Sequence, residues 1–188
     1  MTNFAEKMRL KGQADEDCYF ARRDRELIEQ RRARRALPLR KIVSGGQSGV
    51  DRAALDVAIS RGLAVGGWCP KGRWAEDGPI PVRYPLQEAQ SADPAERTER
   101  NLRDSDATLV IYCADLVGGT RLTVDLAHEL NRPLQLIDLA RGESPGPIRD
   151  WLRENGVQVL NVAGPRESES IGIGVMAAAW LHSLLAKS

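Results

Sequence analysis

The sequence predicts an α/β fold in which a mainly parallel sheet of about five strands carries helices on both faces. Short apolar runs alternate with helix-period segments from Arg40 to the C-terminus. The runs are almost unbroken in apolar residues, as in strands covered on both sides. Glycine-rich turns follow two of them, at points where a strand hands over to a helix.

The elements follow in order. From Ala14 to about Arg35 the chain holds neither Gly nor Pro and is rich in Ala, Glu, Arg and Leu, which favours a helix. Tyr19, Phe20, Leu27 and Ile28 mark its one apolar stripe, and Pro38 ends it. So few apolar residues form no core, so this arm is expected to dock on its own domain or on a neighbouring subunit. The boundary is drawn accordingly, with residues 1–39 as an N-terminal helical arm and 40–188 as a ligand-binding domain.

Within that domain Ile42-Val43 is the first strand, and Val50, Ala53, Ala54, Val57 and Ala58 line one face of the next helix. Leu63 to Trp68 is the second strand. A loop rich in Gly and Pro then runs from Cys69 to about Pro94, and Pro94 to Arg103 is a polar helix. Thr108 to Cys113 is the third strand, and Thr120 opens a helix with Leu122, Leu126 and Leu130 on one side. Leu134 to Ile137 is the fourth strand, followed by a short helix with Pro147, Ile148, Trp151 and Leu152. Val157 to Val162 is the fifth, and Ile171 to Leu185 closes the chain as a helix. Right-handed crossovers leave few arrangements. Neighbouring first and third strands would set the two glycine turns side by side at the carboxyl edge, where such sheets bind ligands.

Composition narrows the partners. The 188 residues carry a net charge of +1, so nothing pulls the whole chain toward nucleic acid or membrane. The excess is local. Met1 to Lys41 holds 12 basic and 7 acidic residues, and the remainder is net acidic. Cys18, Cys69 and Cys113 are odd in number and form no Cys-x-x-Cys, which suits a reducing compartment. The start has no apolar core like a signal peptide's, and Gly172 to Ala186 is too short to span a bilayer. A cytoplasmic location is expected.

The chemistry-bearing motifs are turns. Lys41-Ile42-Val43-Ser44-Gly45-Gly46-Gln47-Ser48-Gly49-Val50-Asp51-Arg52 runs from a strand through a glycine turn into a helix. Such a turn leaves the helix's first N–H groups unpaired and lets the backbone approach an anion. Gln47 and Ser48 can add side-chain hydrogen bonds. Val117-Gly118-Gly119-Thr120 repeats the arrangement. Neither turn is a Walker A or the spaced Gly-x-Gly-x-x-Gly of dinucleotide folds, and tight strand–helix packing alone accounts for such a turn in other proteins. Asp51 suits the helix dipole as a simple cap.

The long loop carries Trp68, Cys69, Lys71, Arg73, Trp74, Glu76 and Asp77, a mixture that suits a flat heterocycle bearing phosphate. Arg97, Arg100 and Asn101 share a helix face that can point arginines at an anion. Gly164-Pro165-Arg166, after the fifth strand, adds another arginine to the same edge. Catalytic apparatus is thin. His128 and His182 lie inside helices and belong to no metal-binding pattern, so no metal site is expected. Glu76, Asp77 and Glu167 are the carboxylates that remain for acid–base work.

Together these segments resemble the molybdenum-cofactor carrier proteins. The resemblance runs from Arg40 to Ala186 through Ser44-Gly45-Gly46-Gln47-Ser48-Gly49-Val50-Asp51-Arg52, Gly66 to Arg73, Ala75 to Pro81, Arg97-Thr98, Asn101, Asp104-Ser105-Asp106, Gly118-Gly119-Thr120 and Asn161 to Glu167. It implies a Rossmann-like, doubly wound fold, a homo-oligomer, and a pocket for a phosphorylated, nucleotide-like ligand, which for the carriers is molybdenum cofactor. Carried over, Gly45, Gly46, Gln47, Ser48, Gly118, Gly119 and Thr120 would line that pocket. Gly49, Lys71, Arg73, Arg97, Asn101 and Arg166 complete the candidate binding set. Related phosphoribohydrolases place a glutamate three residues past a threonine after their glycine turn. Here that position is Thr123, and Asp125 is offset by two, which favours carriage over hydrolysis. A nucleotide-processing enzyme, or a nucleotide sensor signalling through the arm, is the alternative reading.

Overall fold

In the computed structural model, residues 36–91, 93–113 and 115–186 are described, together with Asn3 and Arg23. The helix expected over 14–35 lies, apart from Arg23, outside the described residues. Leu37–Ala186 forms one unit, built in the order β1 (Lys41–Val43), α1 (Val50–Ser60), β2 (Ala64–Gly66), β3 (Trp68–Cys69), β4 (Gln87–Glu88), α2 (Pro94–Arg103), β5 (Ala107–Tyr112), α3 (Gly118–Glu129), β6 (Leu134–Asp138), α4 (Pro145–Glu154), β7 (Val159–Ala163) and α5 (Ile173–Leu184).

Five strands form one parallel sheet in the order β2-β1-β7-β5-β6. The expected adjacency of the first and third strands is therefore corrected. The last strand enters between them, with Ile42 opposite Leu160 on one side and Ala107 opposite Leu160 on the other. Counting β7 as the first strand gives the order 3-2-1-4-5, that of the Rossmann half-sheet. The fold is thus Rossmann-like with its first strand supplied by the chain's end. Its topological switch lies between β7 and β5.

Side chains explain the layers. Ile42, Leu109, Ile111, Leu160 and Val162 point into a core shared with Val50, Ala54 and Val57 of α1, Ile148 and Leu152 of α4, and Ile173, Ala177 and Leu181 of α5. Burying each large aliphatic side chain contributes roughly 1.5–3 kcal/mol. Helices α2 and α3 pack together on the other side, where the sheet is partly polar, as in the buried pair Asn161 and Thr108 (3.3 Å). Helix α3 buries Thr120, Thr123, Val124 and Ala127, whereas Leu122, Leu126 and Leu130 of the expected stripe are half-buried. The small and hydroxyl-bearing face is the one turned inward. Caps fix two starts, with Asp93 accepting from the Ala95 N–H (2.9 Å) ahead of Pro94, and Ser144 from Gly146 (3.3 Å) ahead of Pro145.

The expected second strand divides at Gly67, whose φ of +122° few residues other than glycine adopt. Beyond it Trp68-Cys69 leaves the main sheet and pairs with Gln87-Glu88. The loop between them has its own small core of Cys69, Ala75, Ile80, Tyr84 and Leu86 with Leu55. Among the described residues no helix is long and apolar enough to cross a membrane.

Where β7 ends, Gly164 lies against the Ile111 carbonyl, and an added Cβ would also meet Val50 Cγ2 at 2.6 Å. Gly164→Ala is expected to lower unfolding free energy by about 1–3 kcal/mol in chemical denaturation; unchanged stability would mean that these elements can separate freely.

Candidate functional site

Three loops leave the carboxyl ends of β1, β7 and β5 and meet at the switch. The first is the glycine turn after β1, buried from Ser44 to Ser48. Gly45 leaves room for the Arg97 guanidinium, which occupies the space a Cβ would need. Asp51, at the start of α1, holds both partners. Its Oδ2 accepts from the Gln47 backbone N–H (3.2 Å) and lies 3.9 Å from Arg97 Nη1. Burial pushes the Asp51 carboxyl above its usual range, against the opposing pull of Arg97. The same burial draws the Arg97 guanidinium down from its ordinary value.

The Gln47 side chain is oriented by the long loop. Its Nε2 donates to the Trp74 carbonyl (2.8 Å), which turns Oε1 the other way. The second loop follows β5, and α3 starts at Gly118, two residues earlier than expected. Val117 precedes it with no side-chain cap, so the helix presents free N–H groups. Thr123 Oγ1 donates back to the Gly119 carbonyl (2.9 Å). The third loop carries Arg166, whose guanidinium lies 5.7 Å from the centre of the Trp74 ring.

These groups enclose a polar recess of about 30 Å³ lined by Gln47, Asp51, Arg97, Thr120, Arg166 and Glu169. Gln47 Oε1, Arg97 Nε and Thr120 Oγ1 are buried and have no hydrogen-bond partner among the described residues. Buried polar atoms are rarely left so. A second chamber of about 240 Å³, lined by Lys71, Trp74 and Pro94, shares Gln47, Arg97 and Arg166 with the recess.

The profile of the circularly permutated YpsA SLOG family matches residues 42–185. The chain belongs to that family. The permutation is visible in the sheet, where the last strand takes the first strand's place. A crystal structure from Syntrophus aciditrophicus SB, named "Putative molybdenum carrier protein", shares 44% identity over 79% of this chain and 96% of its own, with a TM-score of 0.76. No curated protein matches the chain.

In this YpsA SLOG member the predicted residues fall into groups. Gln47, Arg97, Gly119, Thr120 and Arg166 come together in the recess, with Gly45 beneath Arg97, and Lys71 stands in the outer chamber. Gly46, at a φ of +74°, turns its carbonyl to Arg52 Nε (3.2 Å). Gly49 lies against the backbone of residues 165–167. Gly118 faces the Glu169 carboxylate.

Three predicted binding residues have their polar groups engaged elsewhere. The Ser48 hydroxyl donates to Glu76 Oε1 and accepts from the Glu167 N–H (3.1 Å) in a separate cleft. Arg73 donates to the carbonyls of Ile80, Pro81, Tyr84 and Leu86 at 2.9–3.1 Å and so closes the long loop on itself. Asn101 holds the backbone of Trp68, accepting from its N–H (2.7 Å) and donating to its carbonyl (3.0 Å). Trp68 itself lies under Arg100 and donates to Asp104 (2.7 Å).

The carboxylates Glu76, Asp77 and Glu167 line a separate cleft with Ser48, Arg52 and Ser168. Each has both oxygens occupied. Glu76 accepts from the Ser48 and Ser168 hydroxyls, Asp77 takes the Arg52 guanidinium in two contacts, and Glu167 accepts from the N–H groups of Gly172 and Gly174 at the start of α5. Hydrogen bonds from Ser168 and Ser48 hold Glu76 below the usual carboxylate range, and Arg52 does the same for Asp77. Both are ionised at neutral pH. Asp125 pairs with Arg121 (2.9 Å) on the exposed side of α3, away from the recess. Among the described residues no cluster of His, Cys, Asp and Glu could hold a metal ion.

Sequence reasoning missed Asp51 as the partner of Arg97, and Glu169 altogether. A carboxylate between Val50 and Ala53 on a helix that buries both was the available signal for Asp51.

Because Glu76 is more acidic in the folded chain, its contribution to stability is present above about pH 4.5 and lost as pH falls through its lowered value. Glu76→Gln is therefore expected to be less stable than wild type at pH 7, with the gap closing on acidification in urea titrations. A gap independent of pH would remove the carboxylate from this role.

Proposed function

We propose that the protein binds and carries a phosphorylated heterocycle, most specifically the pterin of molybdenum cofactor. The observation that carries this reading is the set of three buried, unpartnered polar atoms, Gln47 Oε1, Arg97 Nε and Thr120 Oγ1, around one recess at the switch. Such atoms cost stability unless something fills them. The crevice between strands of opposite connection is where open α/β sheets take nucleotide-like ligands.

The residues suit the group. Arg97, Thr120 and the uncapped start of α3 would receive a phosphate, with Arg166 adding charge. Lys71 and Trp74 would meet the ring in the outer chamber, where an exposed indole face suits a flat heterocycle. The name of the Syntrophus aciditrophicus relative supports a molybdenum-related cargo. Molybdenum cofactor, once bound, brings the redox chemistry of its metal, and the chain's own task is to hold it and keep water from it. Hydrolysis of a nucleotide would call on Glu76, Asp77 or Glu167, and these are tied up in hydrogen bonds outside the recess. Carriage is therefore preferred. With it goes the expectation of a homo-oligomer, which light scattering on the full chain decides.

Mass spectrometry of small molecules released from the full chain, purified gently from a host that makes molybdenum cofactor, should detect the pterin or its oxidised product. A nucleotide in its place would move the function to nucleotide sensing or processing. Thr120→Val gives a second check. The valine keeps the shape and deletes an unpartnered hydroxyl, so stability should hold or rise while affinity for the released ligand falls by about threefold to tenfold. Unchanged affinity would place the ligand elsewhere.

A further inference from the structure

The recess is unusual for an anion seat because acceptors line it as well as donors. Arg97 and Arg166 are donors, but the Asp51 and Glu169 carboxyl groups are acceptors, and Gln47 adds a neutral one. Gln47 and Thr120 are each 3% exposed, so bulk solvent scarcely reaches them. The volume, about 30 Å³, is ample for a group of the size of a water molecule or a hydroxyl. A group that served all three unpartnered atoms would have to accept a hydrogen bond from Arg97 Nε and donate one to Gln47 Oε1, while the Thr120 hydroxyl adapts to either. A bare oxyanion oxygen meets the first demand and fails the second, because it would press a lone pair against the Gln47 oxygen.

We propose that Gln47 makes the recess selective for an anion that carries a proton, so that the hydroxyl of a singly ionised phosphate monoester enters it, and fully deprotonated tetrahedral anions such as sulfate and molybdate are refused. This rests on the ligand-binding reading of the recess and refines it. The phosphate end of the cargo would then go inward, leaving the outer chamber with Lys71 and Trp74 for the rest of the molecule.

The acceptor is set by structure and cannot rotate away at no cost. Turning the Gln47 amide over would point its NH₂ into the recess and bring two carbonyl oxygens together at Trp74, in place of the 2.8 Å hydrogen bond. The charged groups facing the bound hydroxyl are Asp51 from α1, Arg97 from α2, and Arg166 and Glu169 from the loop after β7. No imidazole lines the recess, so the selection depends on hydrogen-bond direction and on the ligand's own proton. A phosphate monoester has its second ionisation near pH 6, so the singly ionised form is available in the physiological range.

The test uses the full-length chain freed of bound small molecules, with inorganic phosphate, sulfate and molybdate as probes in isothermal titration calorimetry at pH 6. Phosphate is expected to bind at least about tenfold more tightly than sulfate or molybdate, the ratio that one buried acceptor left facing a lone pair commands. In Gln47→Met, which keeps length and removes the acceptor, that ratio should collapse toward one, chiefly through a gain in sulfate affinity. Adenosine monophosphate and a pterin monophosphate, run as competitors, share the monoester and should each displace phosphate. The tighter of the two identifies its source.

Equal binding of phosphate and sulfate by the wild type would overturn the proposal and leave the ligand-binding reading standing. It would mean that an ordered water satisfies the three atoms and the anion binds outside them. Binding of none of the probes, nor of either monophosphate, would bring down the ligand-binding reading and the selectivity with it. Should Gln47→Met fail to fold, the wild-type ratio of phosphate to sulfate alone decides the matter.

Discussion

The two hydrogen-bonded ladders of β7, one to β1 and one to β5, hold the working edge of the molecule together. Without them the loop carrying Gln47 and the loop carrying Thr120 belong to separate halves of a sheet. With them, both loops and the one carrying Arg166 converge on the space above a single strand. The closing strand comes from near the end of the chain, so the pairing of Ile42 with Leu160 spans most of the domain. Contacts of such separation form late and make a sheet slow to close. The site therefore depends on the pairing with the greatest sequence separation in the sheet. Gly164 and Gly49 matter for the same reason, since each lets one of these loops lie flat on its neighbour.

A second constraint is electrostatic. Asp51 and Arg97 form a buried pair at 3.9 Å, a separation at which attraction only partly offsets the loss of hydration. The directions of their ionisation agree with this, since burial opposes the charged form of each. Well-packed apolar residues there would give a comparable or more stable fold. The pair is better explained by what it positions. Asp51 fixes the Gln47 backbone and the Arg97 guanidinium with a single oxygen, so the turn and the arginine share one anchor. The long loop supplies a second anchor through the Trp74 carbonyl, and the four-carbonyl grip of Arg73 keeps that loop in shape. The loop also packs a small apolar core of its own.

Much of this was legible in the sequence, and the parts that were not have physical reasons. Unbroken apolar runs such as Thr108–Cys113 announce strands covered on both faces, and the glycine turns announce close backbone approach. Strand order was beyond reach because Val159–Ala163 reads as one more apolar strand, with nothing local to say which neighbours it joins. The leucines of α3 misled because spacing identifies an apolar face without telling whether the partner layer wants bulk. That layer is α2, whose buried residues include Thr98 and Asn101, and it takes the threonine face of α3 instead. Arg73 and Asn101 read as ligand contacts because Arg and Asn are the right types at the right edge. Sequence cannot reveal that backbone carbonyls already claim them.

The same distinction between engaged and unengaged groups separates carrying from cutting. General acid–base work needs a carboxyl group that can gain or lose a proton beside the substrate. Glu76 and Asp77 are held ionised by donors on both oxygens, and Glu167 is fixed to the start of α5. Asp51 is the carboxyl group that burial brings nearer to neutrality, and it faces the recess with its Oδ2 committed to Gln47 and Arg97. A proton taken up there would loosen the arginine it positions. Thr123, on the buried face of α3, directs its hydroxyl to the Gly119 carbonyl and offers no acid there. What the recess gathers is Gln47 Oε1, Arg97 Nε and Thr120 Oγ1, buried and without a partner among the described residues, and such atoms suit the proposed grip on a ligand.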